Sequence, residues 1–210
     1  MSTPLQLFNP EKTALLVIDK QRAYMDPEVL AWRSKSLSED ALRRFERLEH
    51  LIEMARESDV QVLWTLMTES LSHSPAPIVE KMQLDVKTGG TVVDCYPGNE
   101  SYDFYGDIKP LDSEAVLAKS RYDSFSNPEL LRTLQTSGLS SVVLAGGFAS
   151  RCVLATAFGA NSHDIRVLVA SDATINPYEY ETEMQVSAGI IDAVLGYHAT
   201  SQQIVDNWMV

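Results

Sequence analysis

The sequence predicts an α/β fold, a three-layer sandwich built around a mainly parallel sheet. Continuous apolar runs such as Thr13 to Ile18 are typical of strands that are covered on both faces. Amphipathic segments with helical spacing alternate with these runs, which favours parallel strands joined by right-handed helical crossovers. In such sheets, ligands bind beyond the carboxyl ends of the strands, so we expect the functional residues at those ends.

The chain length predicts a single domain over residues 1–210, since 210 residues are enough for one larger globular core. A net charge of −12 argues against nucleic acid or an anionic membrane as a partner, because both bind basic surfaces. No apolar run approaches the roughly 20 residues of a membrane-spanning helix. The amino-terminal segment lacks the pattern of a secretion signal, and we expect a cytoplasmic protein with reduced thiols.

The first half of the chain contains two expected strands. The first, 13–18, ends at Asp19 and leads into a polar loop over residues 20–27. Ser36, with a Glu three residues later, resembles a capping box that begins an amphipathic helix. The second strand covers residues 60–66.

A long segment then links this half to the next strand. Residues 67–110 are interrupted by Pro and Gly, so we expect short helices and a long excursion that covers a site or forms an oligomer contact. The third strand, 115–118, ends at Lys119. A helix follows, with Asn127-Pro128 at its start and Gly138 at its end.

A strand, a Gly-Gly break and an Ala-rich helix are expected over residues 141–161, with Cys152 in the first turn of that helix. A helix amino end carries partial positive charge and unpaired N–H groups, which favour a thiolate and can hold an oxyanion. Beyond it we expect a fifth strand over 165–170, a helix over 179–195 and a short sixth strand at 197–199. A capping box at Thr200 begins the last helix.

Asp19, Lys119 and Cys152 each follow a predicted strand, so their side chains can converge at one edge of the sheet. A carboxylate can accept the thiol proton, and an ammonium group nearby favours the thiolate. Each residue also has an ordinary structural interpretation. A lone Cys is commonly a small buried side chain, an Asp after a strand is often a turn residue, and a Lys at a strand end is usually solvated.

Three ordered motifs resemble those of the isochorismatase-like cysteine hydrolases. They are Leu-Leu-Val-Ile-Asp-Lys-Gln at 15–21, Lys-Ser-Arg-Tyr-Asp-Ser-Phe at 119–125 and Ala-Gly-Gly-Phe-Ala-Ser-Arg-Cys-Val-Leu-Ala-Thr-Ala at 145–157. The resemblance extends over about residues 12–205. It implies a six-stranded, mainly parallel, Rossmann-like sheet and a catalytic triad of Asp19, Lys119 and Cys152. It also implies a homodimer or homotetramer, for which the apolar tail at 208–210 is a candidate contact.

The resemblance further implies a cis peptide bond before Phe148, and an oxyanion hole formed by the backbone N–H groups of Phe148 and Cys152. Phe148 departs from the small residue that is frequent in the family, so its ring is expected to narrow the pocket. Ala149 replaces a frequent Thr, which removes a hydrogen bond near the nucleophile. The expected substrate pocket contains five residues: Gln21, Tyr24, Tyr122, Phe125 and Phe148.

The implied activity is hydrolysis of a C–N bond, amide or N-carbamoyl, in a small molecule through a thioester. Arg121-Tyr122 resembles the branch that hydrolyses isochorismate-type vinyl ethers, but that branch commonly has Gly where this chain has Cys152. Metal-using nicotinamidases carry Asp-x-His after the second strand, whereas this chain has Thr68-Glu69-Ser70. We therefore expect no metal and no cofactor, and we interpret His73 as a surface residue.

Three interpretations of other classes remain open. A dinucleotide-binding protein would have a Gly-rich fingerprint after the first strand, and the Gly pair here follows the fourth. A redox sensor could use Cys152 with Cys95 as its resolving thiol. A catalytically silent interaction module of the same fold would use the acidic surface and the segment 67–110 for a protein partner.

Overall fold

A six-stranded parallel sheet forms the centre of the structure, a computed structural model that describes residues 4–92 and 94–209. Its strands are β1 (Thr13–Ile18), β2 (Gln61–Met67), β3 (Ala115–Lys119), β4 (Ser141–Gly147), β5 (Arg166–Ile175) and β6 (Tyr197–Ala199). They lie in the order β3-β2-β1-β4-β5-β6, and each neighbouring pair is parallel. The α/β sandwich predicted from the alternating pattern is confirmed.

Helices cover both faces of this sheet. They are α1 (Arg22–Met25), α2 (Pro27–Trp32), α3 (Glu39–Glu57), α4 (Ala76–Lys87), α5 (Pro128–Thr136), α6 (Leu154–Ser162), α7 (Glu181–Ile190) and α8 (Ser201–Trp208). Helices α3 and α8 pack against one face of the sheet and form the first hydrophobic core with it. Helices α5 and α6 pack against the other face and form the second core. None of the helices in these ranges has both the length and the apolar character needed to cross a bilayer.

Strand β1 is the centre of both cores. Leu15 and Val17 belong to the first core, and Leu16 and Ile18 belong to the second, so the side chains alternate between the faces. All six residues of the strand are buried, which explains its uninterrupted apolar sequence. Ile18 is level with both β2 and β4 in the register, so the carboxyl ends of the three central strands meet at one edge.

Two local expectations are wrong. Residues 20–27 are not a loop throughout but contain α1 and the start of α2. Helix α2 begins at Pro27 because the Asp26 side chain accepts a hydrogen bond from the Glu28 N–H and Pro27 occupies the first helical position. Helix α3 is capped by Ser38, whose hydroxyl accepts a hydrogen bond from the Ala41 N–H at 3.1 Å. Ser36 instead donates its hydroxyl to Glu179.

The excursion over residues 67–110 contains α4 and a short 3₁₀ turn, as expected. Its far end is held by Lys20, which is completely buried. The Lys20 Nζ donates to the Glu49 carboxylate at 2.7 Å and to the backbone carbonyls of Tyr105 and Ile108. Desolvation lowers the pKa of Lys20 despite its contact with Glu49.

The carboxyl-terminal residues pack mainly within the chain. Trp208, expected as a contact for a second copy, is buried, and its indole N–H donates to the Phe8 carbonyl at 3.2 Å. Met209 is 66% exposed. Val210, the third residue of that expected contact, lies outside the described residues.

Candidate active site

Asp19, Lys119 and Cys152 meet at the carboxyl edge of the sheet. The Lys119 Nζ lies 2.7 Å from Asp19 Oδ2 and 3.3 Å from Cys152 Sγ. All three side chains are buried. The strand ends therefore bring together a carboxylate, an ammonium group and a thiol that are more than 30 residues apart in sequence.

Asp19 is fixed by its own backbone and by the neighbouring strand. It follows β1 with a φ of 50°, in the left-handed region that Asp and Asn tolerate better than most residues. The Asp19 N–H donates to the Thr65 carbonyl at 3.2 Å, and the Thr65 hydroxyl donates to Asp19 Oδ1 at 2.9 Å. These bonds leave Oδ2 directed at the ammonium group.

Lys119 is the last residue of β3, and its Nζ also donates to the Arg121 carbonyl at 3.2 Å. Burial acts to lower the pKa of Lys119, but its contacts with the Asp19 carboxylate and, less strongly, with the Cys152 sulfur outweigh burial and raise this pKa above its ordinary value. The side chain therefore remains a cation although it is excluded from solvent.

The nucleophile is positioned by the turn that follows β4. Gly146 has a φ of 108° and lies so close to Ile18 that a Cβ would fall 2.2 Å from the Ile18 carbonyl oxygen, so no larger residue fits there. The Gly147–Phe148 peptide bond is cis. Cys152 lies in a π-helical turn, Ala149–Val153, directly before α6, and not in the first α-helical turn that the sequence indicated.

The resting state of the thiol differs from the sequence-based expectation. Burial is the largest influence on Cys152, the Asp19 charge adds to it, and together they raise the pKa of the thiol well above its ordinary value although Lys119 opposes them. Because Asp19 already balances the charge of Lys119, a thiolate would be a second anion beside one cation. The free site therefore holds a thiol next to a carboxylate–ammonium pair.

A cavity of about 40 Å³ opens beside the thiol. It has room for about three water molecules, at about 10–15 Å³ each. Ten residues line it: Asp19, Tyr24, Arg33, Met67, Glu69, Tyr122, Gly147, Phe148, Arg151 and Cys152. Tyr24 and Phe148 pack edge to face, with ring centroids 5.5 Å apart, and form one wall.

Two residues of the expected pocket lie elsewhere. The Gln21 side chain is completely buried, donates to the carbonyls of Met67 and Tyr102, and accepts from the Met67 N–H at 2.7 Å. It therefore joins the ends of β1 and β2 instead of lining the cavity. Phe125 belongs to the core under α5 and α6, where its ring lies 5.4 Å from that of His163.

Three charged residues of the cavity were missed by the sequence analysis. Glu69 follows β2 by two residues, so the same strand-end rule that selected Asp19 and Lys119 could have found it. The Tyr24 hydroxyl donates to Glu69 at 3.0 Å, and burial raises the pKa of this carboxyl. Arg151 directly precedes the cysteine, and Arg33 follows α2, where nothing in the sequence points to a cavity.

The remaining candidates have local partners. The His73 ring shares hydrogen bonds with the hydroxyls of Ser70 and Ser72, each at 2.9 Å, and stacks on Tyr96. Over residues 4–92 and 94–209, no group of three or more His, Cys, Asp or Glu side chains is arranged to hold a metal ion. Cys95 is a buried free thiol, and desolvation raises its pKa to about 12.

Known proteins are similar to this chain in sequence and in fold. The sequence matches the isochorismatase domain over residues 13–193. It is 27% identical over 165 residues to the "Probable isochorismatase" of Pseudomonas chlororaphis, covering 79% of this chain and 72% of that protein. It is also 27% identical over 161 residues to the maleamate amidohydrolase of Pseudomonas putida, covering 77% and 71%.

The fold is similar to that of a cysteine hydrolase from Pseudomonas syringae pv. phaseolicola. The TM-score is 0.79 at 15% identity, over 96% of this chain and 94% of that one. The domain match covers most of the chain and includes all three strand ends that meet at the thiol. This chain belongs to the isochorismatase family of hydrolases.

Proposed function

We propose that Asp19, Lys119 and Cys152 are the catalytic triad of a cysteine-dependent hydrolase that cleaves a C–N bond, amide or N-carbamoyl, in a small molecule. The observation that carries this proposal is the position of the Lys119 Nζ, which contacts both the Asp19 carboxylate and the Cys152 sulfur. A thiol in that position has a base and a cation within its immediate surroundings.

The first step is proton transfer from the Cys152 thiol to the Asp19 carboxylate. The transfer leaves one anion, the thiolate, beside one cation, Lys119, so the net charge of the buried cluster does not change. The high pKa of the free thiol is compatible with this step, because the thiolate forms only as Asp19 becomes neutral.

The thiolate then adds to the carbonyl carbon of the substrate, and a C–S bond forms while the carbonyl π electrons move to oxygen. The backbone N–H groups of Phe148 and Cys152 stabilise the resulting oxyanion. Collapse of this intermediate breaks the C–N bond, and the leaving nitrogen takes the proton from Asp19. The products of this half-reaction are a thioester on Cys152 and ammonia or an amine.

Water completes the reaction. Asp19, again a carboxylate, removes a proton from a water molecule as that water attacks the thioester carbonyl. The C–S bond breaks, the sulfur recovers the proton through Asp19, and the acid leaves. For an N-carbamoyl substrate, the acid is a carbamic acid.

Amide chemistry has support among the relatives, since one relative is a maleamate amidohydrolase. A vinyl-ether hydrolase is the second candidate, supported by the relative named as an isochorismatase and by Tyr122 in the cavity wall. Arg121, the other residue of that resemblance, donates to the Ser120 carbonyl and is exposed. A thiol at position 152 favours the amide reaction, because vinyl-ether hydrolysis needs a proton donor and no nucleophile.

The two candidates differ in their products. A panel of carboxamides, N-carbamoyl compounds and isochorismate, assayed for ammonia and pyruvate, separates them. We expect ammonia release from at least one amide, and its loss in both Cys152→Ala and Asp19→Asn. Pyruvate release that survives Cys152→Ala would establish the vinyl-ether reaction instead. A panel without any turnover would favour a silent interaction module.

We also propose that residues 1–210 form one domain in a cytoplasmic homodimer or homotetramer. The continuous six-stranded sheet supports a single domain, and two free thiols suit a reducing compartment. Sedimentation velocity tests the oligomer, and a monomer at micromolar concentration would contradict it.

A further inference from the structure

Asn176 joins the end of β5 to the turn that carries Cys152. It directly follows β5 and is 2% exposed. Its Oδ1 accepts from the backbone N–H of Ser150, a residue of that turn, at 3.3 Å, and its Nδ2 donates to the Ser150 hydroxyl at 3.0 Å. Nδ2 also donates to the Tyr180 carbonyl at 2.8 Å. The Ser150 N–H and the Tyr180 carbonyl together fix which end of the amide faces the turn.

The register of the sheet explains why Asn176 reaches this turn. Ile175, the last residue of β5, is level with Gly147, the last residue of β4. The residues that come next are Asn176 and Phe148, so both leave the sheet at neighbouring positions. Phe148 carries one of the two N–H groups proposed for the oxyanion hole. Asn176 therefore lies at the same edge of the sheet as the proposed triad.

The side chain of Phe148, the residue before the turn, cannot cap it. Phe148 is the N-cap residue and makes no side-chain hydrogen bond to the turn. N-cap positions usually carry Ser, Thr, Asp or Asn, because their side-chain oxygens accept from the first N–H groups of a helix. Asn176 makes this bond to Ser150 from a different strand. The start of the turn is thus tied to the sheet through a buried amide.

Glu183 also contacts Ser150, but from a solvent-exposed position. The Ser150 hydroxyl donates to the Glu183 carboxylate at 3.3 Å, and the Glu183 side chain is 51% exposed. Water competes for a bond of this kind, so the bond contributes little, whereas a buried polar group that loses its partner destabilises the folded state. The contact with Asn176 therefore fixes the turn more strongly than the contact with Glu183.

We propose that Asn176 is a positioning residue of the hydrolase: it keeps the Cys152 sulfur and the N–H groups of its turn in the geometry needed for attack on the substrate carbonyl. This inference rests on the proposed function of the thiol. Asn176 acts through Ser150 and not by contact with the substrate. A displacement of about 1 Å at a reacting group can lower a rate by about 10²-fold, so the turn loses most of its catalytic power when this support is removed.

Steady-state kinetics with an amide from the substrate panel tests the role of Asn176. Asn176→Ala should lower kcat by about 10²-fold and leave KM within about threefold, because the same turn serves both the formation and the hydrolysis of the thioester. Asn176→Asp keeps an oxygen that accepts from the Ser150 N–H, so it should retain kcat within about tenfold of the parent protein. This rescue separates the acceptor from the rest of the side chain.

Glu183→Ala is the matched control, because it removes the exposed partner of the same Ser150 hydroxyl and leaves Asn176 in place. Its kcat should stay within about twofold of the parent, and thermal unfolding verifies that each variant is folded. An equal loss of kcat in Glu183→Ala, or a kcat of Asn176→Ala within about twofold of the parent, overturns the proposal. A loss greater than about tenfold in Asn176→Asp overturns it whether or not Asn176→Ala folds.

Alkylation by iodoacetamide provides a readout that needs no turnover. Asn176→Ala should increase the rate at Cys152 at least about threefold at about pH 8, because a loosened turn exposes the buried sulfur, and should leave the rate at Cys95 unchanged. An unchanged rate at Cys152, or equal acceleration at both cysteines, contradicts a local role for Asn176. If the parent protein releases no ammonia from any amide, the proposed function fails, and the Cys152 rate alone decides whether Asn176 fixes the turn.

Discussion

Asp19 Oδ2 and Lys119 Nζ form an ion pair at 2.7 Å, with side chains that are 1% and 0% exposed. A buried pair of this kind is costly to break, because removal of one partner leaves the other charge without compensation. The pair also keeps the neighbouring Cys152 thiol protonated, because the Asp19 carboxylate already neutralises the Lys119 cation that would otherwise stabilise a thiolate. Stability and reactivity are therefore coupled through the same two residues.

Asp19→Asn separates the charge of this residue from its backbone geometry, because Asn tolerates the left-handed φ of 50°. We expect turnover to fall by about 10²–10⁴-fold, the range for a lost general base. We also expect the free energy of unfolding to decrease by roughly 3–5 kcal/mol, since Lys119 remains buried and unpaired. Assays and urea denaturation measure the two effects.

Asp59→Asn is the matched control for that substitution. Asp59 also has a positive φ, 55°, but it is exposed and far from the thiol in the fold. This variant should match the parent protein in both measurements. If Asp19→Asn retained turnover within about twofold of the parent, Asp19 would not be the base.

Alkylation by iodoacetamide reports the thiolate fraction of Cys152 as a function of pH. Because burial and Asp19 raise the pKa of this thiol, the rate in the free protein should keep increasing above the ordinary thiol pKa of 9.0 without a plateau. Removal of the Asp19 charge stabilises the thiolate, so Asp19→Asn should be alkylated faster near pH 7. Burial, with a smaller contribution from the Asp19 charge, raises the pKa of Cys95 to about 12, so the Cys95 rate should also increase without a plateau and is followed separately in both proteins.

A plateau below about pH 8 in the parent protein would show that the thiolate already exists in the resting site. The proton transfer to Asp19 would then not be the first step. Peptide mapping assigns the label to each cysteine, so the two rates are obtained from one experiment.

The strand-end residues were predictable because the sheet imposes a simple rule. Asp19 and Lys119 directly follow the apolar runs of β1 and β3, and parallel strands align their carboxyl ends. Cys152 was selected by the Gly-Gly turn after β4. The order of these elements and the identity of the thiol's neighbours could thus be derived before any coordinates.

Other features depend on long-range packing that no local pattern encodes. Arg33 lines the cavity because residues 22–32 fold into two short helices, whereas the sequence indicated a loop over residues 20–27. Lys20 looks like a solvated loop residue, yet it is buried against Glu49 and two carbonyl groups. The pKa of Cys152 could not be derived either, since burial and the Asp19 charge oppose the thiolate whereas Lys119 favours it.

Glu69→Gln should stabilise the protein at neutral pH. Burial raises the folded-state pKa of Glu69 above its ordinary 4.5, so the folded state binds the proton more strongly than the unfolded state does. Stability from this group is fully present below the unfolded pKa and decreases as pH rises through the folded pKa. Gln keeps an acceptor for the Tyr24 hydroxyl and removes the cost of burying a charged carboxylate at neutral pH. Each kcal/mol of stability gained in this way raises Tm by about 2–4 °C.

The advantage of Glu69→Gln should disappear near pH 4, where the native carboxyl is itself protonated in both states. Thermal unfolding of parent and variant across pH 4–8 measures this difference. A variant that is less stable than the parent at neutral pH would indicate that the Glu69 carboxylate makes a net favourable interaction with the cationic side chains around it.

Gly146→Ala should disrupt the turn that positions Cys152. The added Cβ would meet the Ile18 carbonyl oxygen at 2.2 Å and the Ile18 nitrogen at 2.9 Å, both of them backbone atoms in a central strand. Gly89→Ala is the matched control, because Gly89 also has a positive φ, 92°, but its Cβ would meet no atom within 4 Å. The control carries only the left-handed cost of about 1–2 kcal/mol.

Urea denaturation should therefore show a loss at Gly146 that is at least about twice the loss at Gly89. Cys152 alkylation should also change only in the Gly146 variant. Equal losses of stability at the two positions would mean that the close approach of β4 to β1 is not what excludes a side chain there.

The central claim is a thioester on Cys152, and mass spectrometry of the acid-quenched protein tests it most directly. During turnover of an amide identified in the substrate panel, the peptide that contains Cys152 should gain the mass of the acyl group, and hydroxylamine should remove it. The adduct should be absent in Cys152→Ala. An acyl group on Cys95, or undiminished ammonia release by Cys152→Ala, would contradict the claim.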